Sequence, residues 1–255
     1  MTGTPHIELS GVELAYGDFV VMRGISARVR RGQIFVIMGG SGCGKSTLLW
    51  NLIGLRRPTR GDIRYDGRSF LEATDAERAA MERKFGVLFQ SGGLWSSLTL
   101  AENVALPIEE HTDLPRDEIH RLVRLKLALV GLKGFEDFYP SQISGGMMKR
   151  GGLARAMALD PEILFFDEPS AGLDPVTSRR LDDLILHLRD NLGTTVVMVT
   201  HELDSIFAVA DHAVFLDNAT RTVTAAGAPR ELLRDSGDAA VRAFLTRGGQ
   251  KERVI

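Results

Sequence analysis

Five stretches of the chain are almost wholly apolar and short: Ile34-Phe35-Val36-Ile37-Met38, Phe85-Gly86-Val87-Leu88-Phe89, Ile163-Leu164-Phe165-Phe166, Thr194 to Thr200, and Ala213-Val214-Phe215-Leu216. Runs of that length suit strands buried on both faces. Near the start the pattern differs. Ile7, Leu9, Val12 and Leu14 fall close to one face of a strand, interrupted at Gly11 and ended by the turn Tyr16-Gly17-Asp18. A second strand is expected near 20–30, up to Arg30-Arg31-Gly32. The turn Arg56 to Gly61 leads to Ile63 and Tyr65 before Asp66-Gly67, which reads as a hairpin. Thr222-Val223-Thr224 after the Asn218 turn reads as another.

Helical spacing fills the gaps. A helix is expected from Leu48 to Ile53, a polar one over 75–84, one from Pro175 to Leu192 and a short one over 202–210. Between 91 and about 160 no strand signal occurs. Thr99-Leu100-Ala101-Glu102 is a capping box. Ile119, Leu122, Val123, Leu125 and Leu129 recur at helical intervals within Asp113–Gly131. Ser144 is a good cap for a helix from Met147 to Leu159. Gly151-Gly152 inside that helix is costly, at about 1 kcal/mol each against alanine, so close packing on a neighbouring strand is expected. The last ~25 residues read as amphipathic helices and a polar tail.

With 255 residues and 44% apolar content the chain has ample material for a core. Its net charge of −2 supplies no general field for nucleic acid. No apolar run approaches the ~20 residues that span a bilayer, and residues 1–6 lack the layout of a secretory signal. The only cysteine is Cys43, so no intrachain disulfide can form. These features suit the cytoplasm, and any membrane role must come through a partner.

The chemistry starts at Gly39-Gly40-Ser41-Gly42-Cys43-Gly44-Lys45-Ser46-Thr47, between the first buried strand and a helix. Glycines let the backbone curl its N–H groups around an anion, and the helix N-terminus adds its dipole. Lys45 supplies charge to the β/γ-phosphates and Ser46 a ligand for Mg²⁺. Cys43 has two readings: a small filler of the loop, or a thiol acidified by the helix N-terminus that reacts with thiol reagents unless a bound nucleotide protects it. Tyr16 is a candidate to stack on an adenine. Gln90 ends one buried strand, before Gly92-Gly93 as a hinge. Asp167-Glu168 ends another, where ligands bind in α/β sheets. Asp167 suits Mg²⁺, and Glu168 suits polarising a water. His201 follows a third strand at the same expected edge, within reach of a γ-phosphate. Ser144-Gly145-Gly146 at a helix start is a second anion site.

The order Tyr16, 39–47, Gln90, Ser144-Gly145-Gly146, Asp167-Glu168, Leu173-Asp174, His201 resembles the nucleotide-binding subunit of ABC transporters over residues 6 to about 235. The resemblance implies an α/β fold: a P-loop NTPase core at 6–90 and 161–235 with an antiparallel β subdomain, an inserted α-helical subdomain at 91–160, and a C-terminal tail at 236–255. It implies ATP and Mg²⁺ as ligands. Tyr16, Gly39 to Thr47, Ser144, Gly145, Gly146 and Asp174 would bind nucleotide. Ser46, Gln90 and Asp167 would hold the metal. Glu168, His201, Gln90 and Lys45 would catalyse. Two chains would pair head to tail, with Ser144 and Gly146 acting on the other chain's ATP. Where the family usually has glutamine after the two glycines, this chain has Met147, so the reciprocal half of a capping box is missing. That feature and Phe89 to Thr99 look like the ATPase subunits of MCE-type systems, which move phospholipids or sterols between bacterial membranes. The expected partners are a transmembrane permease and an MCE-domain protein, joined in some such systems by a small STAS-domain protein, at the cytoplasmic face of the inner membrane. The ATPase of a small-solute importer, or of a soluble ABC machine on nucleic acid or ribosome, is the alternative. A regulator that only binds nucleotide is a third, disfavoured by the presence of Lys45, Glu168 and His201.

Overall fold

In a computed structural model, described here for residues 4–246, the buried runs form one sheet. Strands β1 (Ile7–Tyr16), β2 (Phe19–Val29), β4 (Arg60–Tyr65) and β5 (Arg68–Ser69) make an antiparallel sheet in the order β2-β1-β4-β5. Strands β3 (Ile34–Gly39), β6 (Phe85–Leu88), β7 (Ile163–Asp167), β8 (Thr195–Val199), β9 (His212–Asp217) and β10 (Thr222–Gly227) make the second, ordered β10-β9-β3-β8-β7-β6. All its neighbours are parallel except the edge hairpin β9-β10. At Gly11 the β1-β2 register slips and the backbone takes φ 59, so the expected interruption is a bulge.

Period-two alternation divides the core. Ile34, Val36, Met38, Leu164, Phe166, Val196 and Met198 face one side. There they meet α3 (Leu100–His111), α4 (Arg116–Leu129), α5 (Gly145–Ala156), α6 (Pro175–Leu192) and α7 (Leu203–Val209). Phe35, Ile37, Phe165, Val197, Val199 and Val214 face the other, against α1 (Lys45–Leu52) and the antiparallel sheet. This is why the five runs are apolar throughout: both faces are covered.

Helix boundaries move where caps decide them. The polar helix α2 (Asp75–Glu82) starts at Thr74, which forms a full capping box with Glu77. Thr99 does the same with Glu102 for α3. The helix expected from Asp113 starts at Arg116, because Pro115 stands at its N-cap. Helix α5 starts at Gly145, two residues before the expected Met147, since Ser144 already accepts the Met147 N–H at 3.3 Å. Gly152 packs as expected: a Cβ there would lie 2.1 Å from the Gly92 carbonyl oxygen and 2.9 Å from Leu88. Gly86, which the pattern did not single out, has the same constraint against the Ala156 carbonyl. Together the two glycines bring α5 against β6 and the loop that follows it.

After β10 come α8 (Pro229–Asp235) and α9 (Ala239–Leu245). Val241 and Leu245 of α9 are buried and Phe244 stacks edge-on with Phe215 at 5.3 Å. This part of the expected tail is thus packed on the core, and residues 247–255 lie outside the described residues. Among the described residues no helix is long and apolar enough to cross a membrane.

Candidate active site

Because β3, β8, β7 and β6 are parallel neighbours, the chain leaves all four at one edge. It leaves as the glycine loop, His201, Asp167-Glu168 and Gln90 respectively. An open cleft of about 1090 Å³ lies there. Its walls include Tyr16, Gly39, Gly40, Ser41, Gly42, Gly44, Lys45, Ser46, Thr47, Gln90, Glu168 and His201. A sheet edge of this kind is where α/β proteins bind ligands.

The loop is shaped by its glycines. Gly44 has φ 92, and a side chain there would meet Val21 at 2.7 Å. Helix α1 begins directly afterwards at Lys45, so its free N–H groups face the cleft side of the loop. The Lys45 ammonium, largely buried, donates to the carbonyls of Gly39 (3.0 Å) and Gly40 (2.9 Å). Tyr16 keeps 40% exposure, carries the Arg56 guanidinium 4.1 Å from its ring centre, and shares a hydrogen bond with Thr47. An aromatic ring backed by a cation fits an adenine on its free face.

Of the two readings of Cys43, the structure supports the filler and not the acidified thiol. Alone of residues 39–47 it does not line the cleft. Its side chain is 1% exposed, turned into the core against Gly39 and the Leu216 strand. Burial outweighs the nearby Lys45 charge and pushes the thiol up, away from the reactive range. Its contribution to a phosphate site is limited to its backbone.

The two acids differ. Asp167 is buried and accepts the Ser46 hydroxyl at 3.1 Å. Burial pushes its carboxyl up, with Ser46 and Lys45 opposing. A buried carboxylate beside a serine hydroxyl is a donor set of hard oxygens, which fits Mg²⁺. Glu168 has a left-handed backbone, φ 50, uncommon for a residue with a side chain. Its Oε1 is 2.8 Å from His201 Nδ1, and its Oε2 is buried with no partner among the described residues. A buried unpaired acceptor is costly unless a ligand or water uses it. Gln90 stands exposed at the rim, between this cleft and a smaller groove lined by Trp50, Leu55, Phe89, Ser91, Asp167 and Ala171.

Four expected nucleotide-binding residues are elsewhere. Ser144, Gly145 and Gly146 open α5 outside the cleft. Asp174 caps α6 through the N–H groups of Val176 and Thr177, at 3.0 Å each. Met147 makes no return bond to the Ser144 backbone, as expected from its side chain. Conversely, Phe19, Val21, Glu202, Leu203, Ala243 and Phe244 line the cleft without having been anticipated. Only the Phe19 position, next to the Tyr16 turn, carried a sequence hint.

Behind the acids lies a further polar contact. Asp182 of α6 is 4% exposed, accepts the Ser205 hydroxyl at 3.0 Å, and leaves Oδ1 without a partner among the described residues. Ser205 also reaches Ser170 at 3.4 Å, in the loop after Glu168. Burial raises the Asp182 carboxyl to about 6, with Ser205 and Arg179 opposing and Asp183 and Asp204 adding to the rise. The folded chain therefore holds this proton more tightly than the unfolded one. The associated stability is present below the ordinary value of 3.8 and is lost as pH rises through about 6. The loss is on the order of 3 kcal/mol. Asp182→Asn removes the titration. Denaturant melts at pH 4 and pH 7 should show the variant gaining that much on wild type across the interval; a constant difference would contradict the assignment.

The strand–loop–helix, the acids at the neighbouring strand tip and the inserted helices define a P-loop nucleotide-binding ATPase cassette. The family model for the ABC transporter matches residues 22–171. The ATP-binding protein mkl of Mycobacterium bovis, described as a probable ribonucleotide transport protein, is 41% identical over 239 residues. That alignment covers 94% of this chain and 66% of the mkl protein, so the chain spans about two thirds of that relative's length. The intermembrane phospholipid transport ATP-binding protein MlaF is 39% identical over 94% of this chain, covering 89% of the Haemophilus influenzae protein and 88% of that of Escherichia coli K12. The cassette MJ0796, in a dimeric post-hydrolysis state with ADP and Pi, superposes with TM-score 0.79 at 29% identity, over 87% of this chain and 98% of that one. The chain belongs to the ABC transporter family and is an ATPase cassette of that family.

Proposed function

We propose that the chain hydrolyses ATP to drive a membrane transporter of phospholipid. The observation that carries the chemistry is Glu168: it lines the cleft, its Oε1 is held by His201, and its buried Oε2 has no partner among the described residues. Adenine stacks on Tyr16. Loop N–H groups and Lys45 hold the phosphates. Glu168 accepts a proton from water as the water oxygen bonds to the γ-phosphorus, and the bond from that phosphorus to the β-phosphate oxygen breaks, leaving ADP and phosphate. Ser46 and Asp167, with Gln90 at the rim, would hold Mg²⁺, which supplies charge neutralisation to the phosphates. His201 orients Glu168 and lies within the same cleft as the γ-phosphate.

A second copy completes the site. Ser144 and the first N–H groups of α5 are an anion site outside their own cleft, which suits an ATP held by the partner. The dimeric state of the MJ0796 cassette supports this reading. The exposed groove beside Gln90 is the surface for a permease helix, and helices α3 to α5 move with it.

The phospholipid assignment rests on the similarity to MlaF over nearly the whole chain, and on Met147 with the segment Phe89 to Thr99. The mkl name makes ribonucleotide transport the second reading. Tagged purification from detergent-solubilised native membranes, with partners and bound lipids identified by mass spectrometry, separates them. A permease with an MCE-domain protein, a STAS-domain protein and phospholipid is the expected result. A permease with a solute-binding protein would move the substrate to a small polar solute such as a nucleotide. Ribosome or nucleic acid without permease would overturn the transport reading.

A further inference from the structure

One buried cation close to Glu168 has no part in the chemistry above. Lys149 stands on α5, five residues after Ser144, and is 6% exposed. Its ammonium donates to two main-chain carbonyls of the loop that follows β7: Glu168 at 3.2 Å and Ala171 at 2.5 Å. Burying an ammonium is unfavourable unless acceptors surround it. Burial accordingly pulls the Lys149 pKa down, while the Glu168 charge opposes that shift.

The acceptors are not arbitrary. Glu168 has the left-handed backbone described above, a conformation that persists only where the surroundings over-determine it. Its N–H donates to the Val199 carbonyl of β8 at 2.9 Å. Its carbonyl accepts from the Lys149 ammonium and, also at 3.2 Å, from the Ala171 N–H of the same loop. Beyond that local turn, the two main-chain groups of Glu168 are held from β8 and from α5, the helix that begins with Ser144-Gly145-Gly146, and Lys149 grips both ends of the turn through the Glu168 and Ala171 carbonyls.

We propose that Lys149 is a positioning residue for Glu168, fixing the backbone from which its carboxylate reaches the attacking water and tying it to the signature end of α5. This rests on Glu168 being the base. It adds a consequence that reading lacks: a displacement of α5, as when its N-terminus meets the partner's nucleotide, is transmitted to the base of the same chain through one ammonium.

The test is a set of four chains assayed for steady-state ATP hydrolysis and for binding of a fluorescent ATP analogue: Lys149→Met, Lys149→Arg, Glu168→Gln and the double variant Lys149→Met/Glu168→Gln. Lys149→Met keeps the length and removes the donors. Its kcat should fall about 10- to 100-fold, the range a displaced catalytic group produces, with KM and analogue affinity within about threefold of wild type. Lys149→Arg, which keeps charge and donors, should retain most of the rate. The double variant should be no slower than Glu168→Gln alone, because Lys149 acts through that carboxylate. A merely structural lysine would lower the double variant further and weaken analogue binding. Should the methionine chain fail to fold, Lys149→Gln, whose amide reaches one carbonyl, should show an intermediate kcat. Wild-type kcat in the methionine or glutamine chain, beside an inactive Glu168→Gln, overturns the proposal and leaves the base assignment standing. An active Glu168→Gln instead removes the base reading itself.

Discussion

Replacing Glu168 by glutamine is expected to reduce ATP turnover by about 10²- to 10⁴-fold, the contribution of a positioned general base, while ATP still binds. The reasoning is local. Glutamine fills the same space and can keep the contact of Oε1 with His201 Nδ1, but it cannot take a proton. The residues proposed to hold phosphate and adenine, Lys45, Ser46, Thr47 and Tyr16, lie on α1 and β1. None depends on the Glu168 charge for its own hydrogen bonds. Affinity should therefore change little and kcat should collapse, the signature of a group used only in the transition state. Pre-steady-state measurement with radiolabelled ATP checks this. A variant within a few-fold of wild type would return the role to another group, His201 first.

The second large effect concerns the fold. Gly152→Ala should destabilise the chain by about 2 kcal/mol. Alanine in a helix interior returns about 1 kcal/mol over glycine. Against that, its Cβ would be 2.1 Å from the Gly92 carbonyl oxygen and 2.9 Å from Leu88. An overlap with backbone cannot be relieved by a rotamer change, which places it at the upper end of overpacking costs, about 3 kcal/mol. The midpoint of thermal unfolding should fall by roughly 4–8 °C for a chain of this size. What yields is the contact between α5 and the loop carrying Gln90 to Gly93, so surviving protein should also hydrolyse ATP more slowly. Gly145→Ala is the control: nothing lies within 4 Å of its added Cβ, and its melting point should hold or rise.

These sites show where sequence reasoning reaches and where it stops. Strand tips were legible because an apolar run as short as Ile163 to Phe166 suits a doubly covered strand better than a helix, so the acids after it fall at its end. The glycine loop was legible because its spacing is dictated by phosphate. Cys43 stayed open between two readings since its direction depends on loop phase: the backbone curls round an anion and the next side chain turns inward to Gly39 and the strand of Leu216. Lys149 carries no local sign in the sequence. Its role depends on a contact with residues 19 and 22 positions away, set by how closely two glycines let α5 approach β6. The cleft wall formed by Ala243 and Phe244 was invisible for a similar reason: nothing local says against which strand α9 packs. Asp182 gives no local sign of its burial either, since the serine it meets is on another helix.

On the proposed mechanism this chain's cleft closes on ATP with a second copy of itself. The direct measurement is the mass of the Glu168→Gln chain, by light scattering, with and without ATP. ATP should convert it from one chain to two, and the two-chain species should persist because hydrolysis is blocked. A chain that binds ATP with unchanged affinity and stays single at every concentration tested would contradict the account.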